Sequence, residues 1–339
     1  MKRLGGPAGF ALLVLCVVLA PLVSSHYRTY ELALAGIYLT ALVGLNLLTG
    51  LTGQISLGHG AFMGIGAYTT AILVVDHGWR AIWTIPLAGL VAGGVGIVFG
   101  LPAARFAGPY LALATFAIPL SFTGLVKKFP KFTGGTLGKN LPLLHSQLGL
   151  KTNPSLWLYI VAWTVALALF AVASVLAGGR LGRSLRAVRD SEIASTANGI
   201  SAMWVKTLAF GLSAFYCGVA GAVFAIGIAY VNPDTFPIDL SILLLTGIVI
   251  GGTGSLGGMV FGALFVTFIK TRWAPTLVHL FTLVTTVHVN THATGSAPVI
   301  YGIVLLLVLF VAPSGAAGLV RRALGLGRRA ASLSPPRDL

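Results

Sequence analysis

The sequence predicts an all-α membrane protein, a polytopic transmembrane helical bundle of about ten spans with glycine-broken helices. Hydrophobic residues make up 56% of its 339 residues and charged residues only 9%, whereas a soluble domain carries about 25% charge. Apolar runs that match the roughly 20 residues needed to cross a bilayer core follow one another along the chain. The 44 glycines suit close contacts between helices in lipid.

The apolar runs leave no room for a soluble domain, because the longest polar gaps, residues 127–155 and 178–206, hold fewer than thirty residues each. Residues 1–320 are therefore predicted to form one transmembrane domain, followed by a basic tail, 321–339, that is predicted to be disordered. The predicted spans are residues 8–23, 32–48, 55–75, 82–101, 110–126, 156–176, 207–230, 240–269, 275–289 and 298–311.

Two of these runs have a second interpretation. The first run follows Lys2 and Arg3, as in a secretory signal, but its length and the span directly behind it favour a retained helix. The 240–269 run contains glycines at positions 251, 252, 254, 257 and 258. It therefore crosses either once, as a discontinuous span, or twice.

Basic residues outnumber acidic ones by 22 to 7, and they lie in the gaps between apolar runs. Such loops face anionic headgroups and orient a membrane protein, so nucleic-acid binding is not predicted. If the 240–269 run crosses once, Arg105, the 178–206 loop and both chain ends fall on one side, which the positive-inside rule makes cytoplasmic. The lysine-rich 127–155 segment is then an outer loop.

No site for ATP or a metal ion is predicted. The segment from Thr133 to Lys139 superficially resembles a phosphate-binding loop, but it lacks the first glycine of that motif and the hydroxyl residue that follows the lysine. If ATP drives this protein, another subunit must bind it. His288 and His292 are four residues apart, but no cysteine or acid lies near them to complete a metal site.

The carboxylates are also informative. Proton- and sodium-coupled carriers commonly place ionisable groups in mid-membrane, and an intramembrane hydrolase needs an acid–base pair at one depth. Neither arrangement is predicted here, because every acid lies at a span edge or in a loop. These acids are Glu31, Asp76, Asp190, Glu192, Asp234, Asp239 and Asp338.

A glycine motif recurs in the two halves of the chain. Residues 52–58 read Thr-Gly-Gln-Ile-Ser-Leu-Gly, and residues 253–257 read Thr-Gly-Ser-Leu-Gly. Paired, glycine-interrupted segments of this kind point to a transport pathway at the repeat interface. The alternative is that glycine-rich turns simply resemble one another. The predicted helix breaks are Gly53, Gly58, Gly254 and Gly257.

The loop from 182 to 200 predicts a short amphipathic helix. Leu185, Val188 and Ile193 are apolar at near-helical spacing, and Gly199 suits a helix C-terminus. Such a helix either lies on lipid headgroups or docks in a groove of a partner. The acids at 190 and 192 are unfavourable beside an anionic surface, so docking is preferred.

Five motifs, in order, resemble the permease subunits of ABC importers for branched-chain amino acids. The resemblance runs from about residue 30 to 312 and points to the subunit that pairs with a second, homologous permease. The sequence departs from the family pattern after Thr115, where an acidic residue is usual. The motifs are residues 51–68, 108–115, 133–135, 186–200 and 251–258.

The resemblance implies a permease subunit of an ATP-driven importer for branched-chain amino acids or a related small polar solute, in a bacterial inner membrane. It implies no enzyme activity and no cofactor on this chain, with ATP and Mg²⁺ bound by two cytoplasmic ATPase partners. The other implied partners are the second permease and an extracytoplasmic solute-binding protein. A stand-alone channel or secondary carrier is the alternative, and the family's urea, amide and aromatic-acid importers leave the solute open.

The candidate residues fall into two sets. Gln54, Ser56, His59 and Tyr110 are predicted to line the pathway, although Gln54 and Ser56 would also suit backbone groups at a helix break, and His59 an interface. The residues predicted to couple the chain to its ATPase are Arg183, Leu185, Arg186, Val188, Asp190, Glu192, Ile193 and Gly199.

Overall fold

The computed structural model describes residues 7–23, 25–106, 108–142, 153–269 and 271. The predicted spans at 275–289 and 298–311, the basic tail and the two histidines at 288 and 292 lie outside the described residues. Within the described part, the prediction of an all-α fold is confirmed.

The helices follow the apolar runs closely, because bilayer thickness sets the length of each run. The first half contains α1 (Pro7–Val23), α2 (His26–Leu45, extended by a π-helical turn at Asn46–Gly50), α3 (His59–Val75), α4 (Ala81–Ala103), α5 (Pro109–Lys128) and the short α6 (Pro130–Thr133). The second half contains α7 (Pro154–Gly178), α8 (Arg180–Asp190), α9 (Glu192–Ala197), α10 (Ala202–Ile228), α11 (Ile238–Gly251) and α12 (Gly258–Phe268).

Six stretches of the described chain are long and apolar enough to cross a membrane, and α3 and α12 are shorter apolar helices. The total of about ten spans stays a prediction. The six stretches are His26–Gly50, Ala81–Ala103, Pro109–Lys128, Pro154–Gly178, Ala202–Ile228 and Pro233–Gly251.

The centre of the bundle is formed by α2 and α10, which run antiparallel and are almost wholly buried. Glycines allow this close packing: a Cβ on Gly66 of α3 would lie 2.6 Å from the Gly218 Cα of α10. Small residues at such crossings let backbones approach, which supports association where lipid offers no hydrophobic drive. The Tyr216 hydroxyl of α10 donates to the Leu169 carbonyl of α7 at 3.0 Å.

The 240–269 run reverses direction. Gly251 at the end of α11 packs against Gly258 at the start of α12, and Gly262 packs against Gly247 one turn further along each helix. The two helices are therefore antiparallel neighbours, not one discontinuous span. The sequence placed the C-terminal tail in the cytoplasm on the condition that the 240–269 run crosses once. That condition is not met.

One end of the bundle, here called the cap end, carries a small polar structure. Strand β1 (Lys139–Asn140) pairs antiparallel with β2 (Tyr230–Val231), and 3₁₀ turns at Gly135–Leu137 and Pro233–Thr235 flank them. Lys139 forms an ion pair with Asp76 at the end of α3. The lysine of the segment that resembles a phosphate loop therefore has a structural partner.

Two further observations concern the cap end. Lys127 at the end of α5 pairs with Asp234 at 3.2 Å. Glu31, placed at a span edge by the sequence, lies in the second turn of α2 and is only 2% exposed. One carboxylate thus enters the bundle near this end. The opposite end, which carries α8 and α9, is called the α8 end below.

Candidate functional site

Two breaks interrupt the apolar helices near the α8 end. The first break, residues 53–58, separates α2 from α3, and the second break, residues 252–257, separates α11 from α12. Gly53 and Gly254 adopt left-handed backbone with φ of +74° and +78°, a region that favours glycine because it has no Cβ. Gly58 and Gly257 have right-handed angles and cap the helices that follow.

The first break satisfies its backbone groups with side chains, as non-helical backbone at membrane depth must. The Thr49 hydroxyl donates to the Gln54 carbonyl at 3.0 Å. The Leu57 N–H donates to Thr115 Oγ1 of α5 at 3.0 Å, and the Gly60 N–H donates to Ser241 Oγ of α11 at 2.9 Å. Two neighbouring helices therefore hold the start of α3.

The four predicted pathway residues occupy different environments. Gln54 and Ser56 are buried, and their polar atoms contact the local chain: Gln54 Oε1 lies 3.5 Å from Thr52 Oγ1, and Ser56 Oγ accepts from the Gly58 N–H. Tyr110, in contrast, is 73% exposed at the start of α5. The structure thus brings Gln54, Ser56 and His59 together in one segment and leaves Tyr110 on the adjacent surface.

His59 lies deep in the bundle. Its Nε2 is 2.7 Å from Ser213 Oγ, near the middle of α10, and its ring packs edge-on against Phe62 with centroids 5.6 Å apart. Its Nδ1 has no hydrogen-bond partner among the residues that the structure describes. His59 therefore occupies the α3–α10 interface, the alternative position considered for it.

The second break and α8 both contact the end of α2, just before the first break. Asn46, in the π-helical turn of α2, accepts at Oδ1 from the Gly254 N–H at 2.8 Å. Arg189, from α8, donates through Nη1 to the Gly50 carbonyl at 2.7 Å. We call Asn46, Gly50, Arg189 and Gly254 the junction. Sequence reasoning missed Asn46 as a site residue, although an amide inside an apolar span was a signal for it.

The amphipathic segment forms two helices instead of the single short helix predicted. The chain bends at Ser191, whose extended backbone ends α8 and whose Oγ caps α9 by accepting from the Ala194 N–H. Leu185 and Val188 of α8 are buried against the spans, at 1% and 4% exposure, whereas Ile193 of α9 is 86% exposed. Gly199, at φ +79°, follows the end of α9.

The charged residues of this segment contact the ends of its own spans. Arg186 donates to the Ala177 carbonyl at 2.9 Å and Arg183 to the Gly178 carbonyl at 3.5 Å, so both cap the C-terminus of α7. Glu192 pairs with Lys206 of α10 at 2.5 Å. Asp190 is exposed, and no ion pair of Asp190 is found within the described ranges.

The remaining chemistry of the described part is sparse. Across those residues, no three His, Cys, Asp or Glu side chains converge as a possible metal site. What the arrangement offers is mechanical: two glycine breaks joined at one point, with an amphipathic helix bonded to that point. Paired broken helices in the two halves of a chain define a class, the polytopic membrane transport proteins.

Within that class, comparison with known proteins gives the family. A family model described as "Branched-chain amino acid transport system / permease component" matches residues 28–313. The chain belongs to this family, and the resemblance seen in its five motifs is confirmed. It is a multi-pass membrane protein of the transport-permease type.

Three relatives illustrate the range of the family. The high-affinity branched-chain amino acid transport system permease protein LivM of Escherichia coli K12 is 35% identical, over 75% of this chain and 65% of LivM. The probable branched-chain amino acid transport permease protein LivM of Methanocaldococcus jannaschii is 23% identical, over 69% of this chain and 67% of its own length.

The autoinducer 2 import system permease protein LsrC of Photorhabdus luminescens is 30% identical, over 40% of this chain and 43% of LsrC. The chain thus matches slightly less than two thirds of the length of the E. coli relative. No solved structure matches the chain.

Proposed function

We propose that this chain is the transmembrane permease subunit of an ATP-driven importer for branched-chain amino acids or a related small polar solute. The observation that carries the proposal is α9. This six-residue helix stands out from the bundle with Ile193 exposed, while α8 beside it is anchored to the spans. An exposed apolar side chain on a short, firmly based helix suits insertion into a groove of a partner protein.

In this proposal the protein lies in a bacterial inner membrane, and its α8 end faces the cytoplasm. The partners at that end are two cytoplasmic ATPases, which bind ATP and Mg²⁺. Ile193 and Asp190 contact the ATPase directly, and Glu192 contacts it beside its pair with Lys206. Leu185 and Val188 fix α8 to the spans. Closure of the ATPases on ATP would then move α9 and α8 as one lever.

The solute pathway is proposed to run along the first break. Gly53 and Ile55 are exposed on non-helical backbone there, and non-helical backbone cannot face lipid. A water-filled path or a protein neighbour must therefore cover it. Tyr110, at the mouth of the same surface, and Gln54 and Ser56 behind Ile55 are the residues we propose to meet the solute during transport, with His59 at its inner end.

The neighbour that completes this path is proposed to be the second, homologous permease. The adjacent face of α5 exposes a row of large apolar side chains that no described helix covers, and it lies beside the exposed backbone of the first break. A second permease seated on this face would enclose the path between the two subunits. The exposed residues of the row are Leu113, Phe116 and Leu120.

At the cap end the proposed partner is an extracytoplasmic solute-binding protein. The cap is polar and is fixed by two ion pairs, Lys139 with Asp76 and Lys127 with Asp234. A surface held in this way can receive a soluble protein without rearranging. Phe132 and Leu137 are 64% and 82% exposed on it and supply apolar contact area.

The proposal is tested by reconstitution. The chain, a homologous permease, the ATPases and the binding protein are placed in liposomes, and uptake of radiolabelled leucine is measured with and without ATP. We expect uptake only with ATP and with every subunit present, and no ATPase activity from the purified chain alone. ATP-independent uptake by the chain alone would instead indicate a stand-alone channel or carrier.

The contact of α9 with the ATPase is tested by charge reversal at Glu192. Glu192→Lys should lower leucine uptake per ATP hydrolysed, or release the ATPase during purification, while membrane insertion is unchanged. Because Glu192 also pairs with Lys206, the double variant Glu192→Lys/Lys206→Glu is the matched control. If the double variant restores coupling, the internal ion pair explains the effect. If Glu192→Lys and Asp190→Lys both behave like the wild type, this segment is not the coupling element.

A further inference from the structure

One of the three arginine contacts of α8 differs from the other two. Arg183 and Arg186 of α8 both bond to the end of α7, the helix that directly precedes α8. Arg189 reaches elsewhere, to the Gly50 carbonyl 139 residues earlier in the chain. Of these three arginines, Arg189 alone ties α8 to the end of α2, directly before the first break.

The position of the Gly50 carbonyl in the chain favours this hydrogen bond. Gly50 ends the π-helical turn of α2, where carbonyls lose their intrahelical donors. An arginine bond to such a carbonyl is charge-assisted and therefore stronger than a neutral one. The absence of side chains makes room for it: a Cβ on Gly53 would lie 3.4 Å from the Arg189 Cγ, and one on Gly254 would lie 3.8 Å from its Nη1.

The same point also holds the second break. Asn46 Oδ1 receives the Gly254 N–H, and a Cβ on Gly50 would lie 2.6 Å from the Gly254 nitrogen. The backbone at the end of α2, three residues before the first break, is therefore in direct contact with the second break. A displacement of Gly50 must be transmitted to Gly254, because packed backbone has no free space to absorb it.

We propose that Arg189 is the positioning residue that transmits motion of the coupling segment to both helix breaks at once. This inference rests on the proposed function. When α8 moves with the partner ATPase, Arg189 pulls the Gly50 carbonyl, and the Asn46–Gly254 bond carries the displacement into the turn between α11 and α12. Arg189 touches neither solute nor ATP, and it acts by fixing the relative position of three elements.

The test compares Arg189→Gln with two control variants in the reconstituted complex. Arg189→Lys keeps a cationic donor. Arg180→Gln makes the same change of charge on an exposed residue of the same helix that has no part in the junction. Hydrogen exchange is followed by mass spectrometry with and without ATP and Mg²⁺, over peptides covering residues 53–58, 252–257 and 192–197, alongside leucine uptake per ATP hydrolysed.

In the wild type and in Arg180→Gln, we expect ATP to change exchange in all three peptides. In Arg189→Gln, the change should persist at 192–197 and disappear at both breaks, and uptake per ATP should fall about fivefold or more, the usual lower range of coupling between sites. Arg189→Lys should recover most of the lost uptake. The ATPases should co-purify with every variant.

Each opposite outcome has a distinct meaning. ATP-dependent exchange at 252–257 that survives in Arg189→Gln, with normal uptake per ATP, overturns this inference and leaves the proposed function intact. Loss of the ATPases from the Arg189→Gln complex also overturns it, because Arg189 would then serve docking. A wild-type complex without ATP-dependent uptake overturns the proposed function and this inference with it.

Discussion

The two glycine breaks have the same length and different supports. Each has six non-helical residues and a left-handed glycine, yet the Leu57 N–H of the first break donates to a side chain of α5, and the Gly60 N–H just beyond it donates to one of α11. The second break closes on itself: the Ser255 N–H donates to the Gly252 carbonyl, and the Gly258 N–H donates to Ser255 Oγ. The first break therefore depends on where α5 and α11 lie, whereas the second combines bonds of its own with one bond to α2, from the Gly254 N–H to Asn46 Oδ1.

The paths of the chain differ in the same sense. At the second break, α12 starts beside the end of α11, where Gly251 contacts Gly258. At the first break, the chain climbs back into the bundle before α3 begins, so that His59 lies level with Gly44, and both contact Ser213. Gly44 is six residues before Gly50, which corresponds to about 9 Å along a helix. A segment held by neighbouring helices can move with them, whereas a turn with internal hydrogen bonds can act as a hinge.

The largest expected effect comes from a substitution at the junction, which lies beside both breaks. Gly50→Val would push a side chain into the Asn46 side chain and the Gly254 backbone. Because backbone cannot rotate away, the cost should reach the upper end of overpacking, about 3 kcal/mol. Leucine uptake should be abolished, and the melting temperature in detergent should fall. Gly94→Val, on a surface with open space around it, is the matched control and should remain near wild type.

A smaller effect separates the two breaks. Thr115→Val keeps the shape of the side chain but removes a buried acceptor, Thr115 Oγ1, from the half-buried Leu57 N–H, which should cost about 1–3 kcal/mol. Ser255→Ala removes a bond in the half-buried second break, where water can substitute, and should cost less than about 1 kcal/mol. Thermal unfolding in detergent measures the difference. Equal losses in the two variants would contradict the distinction drawn between the breaks.

The last effect should be common to both breaks and smaller than that of Gly50→Val. Gly53→Ala and Gly254→Ala each force an alanine into left-handed backbone, at a cost of about 1–2 kcal/mol. A Cβ on Gly53 would lie at ordinary contact distance, 3.4 Å from the Arg189 Cγ, whereas one on Gly254 would lie 3.3 Å from the Gly50 carbonyl oxygen, so that Gly254→Ala should cost slightly more. Gly178→Ala, in a helix with open surroundings, should be neutral or slightly stabilising. Melting temperatures of the three variants in one detergent provide the check.

Much of the fold could be predicted because lipid imposes simple rules. Run length gave α1, α3, α4, α5 and α7 to within four residues at each end, whereas α2 and α10 begin six and five residues before the predicted runs and the 240–269 run contains two helices. Clustered glycines gave the positions of both breaks. The start of α3 at residue 59 instead of 55 was less accessible, because the apolar residues of the first break read as a continuation of the helix. The bend at Ser191 had a signal, a serine that can cap a following helix.

The junction itself could not be predicted from the sequence. Arg189 and Gly50 are 139 residues apart, and Asn46 and Gly254 are 208 apart, so their meeting depends on how the helices pack as a whole. Val188 and Ile193 likewise read in the sequence as apolar residues of one amphipathic segment. The bend between α8 and α9 separates them, so that Val188 is part of the core and Ile193 is exposed.

The strand pair at the cap end has a consequence for biogenesis. Its two strands are made far apart in synthesis, since β1 precedes both α7 and α10 and β2 follows them. Lys139 can dock beside Val231 only after the four intervening helices, α7 to α10, have left the insertion machinery. Closure of the cap therefore marks the moment at which the ribosome has delivered the central pair, α2 and α10, and a chain truncated before residue 230 should expose the cap lysines to protease.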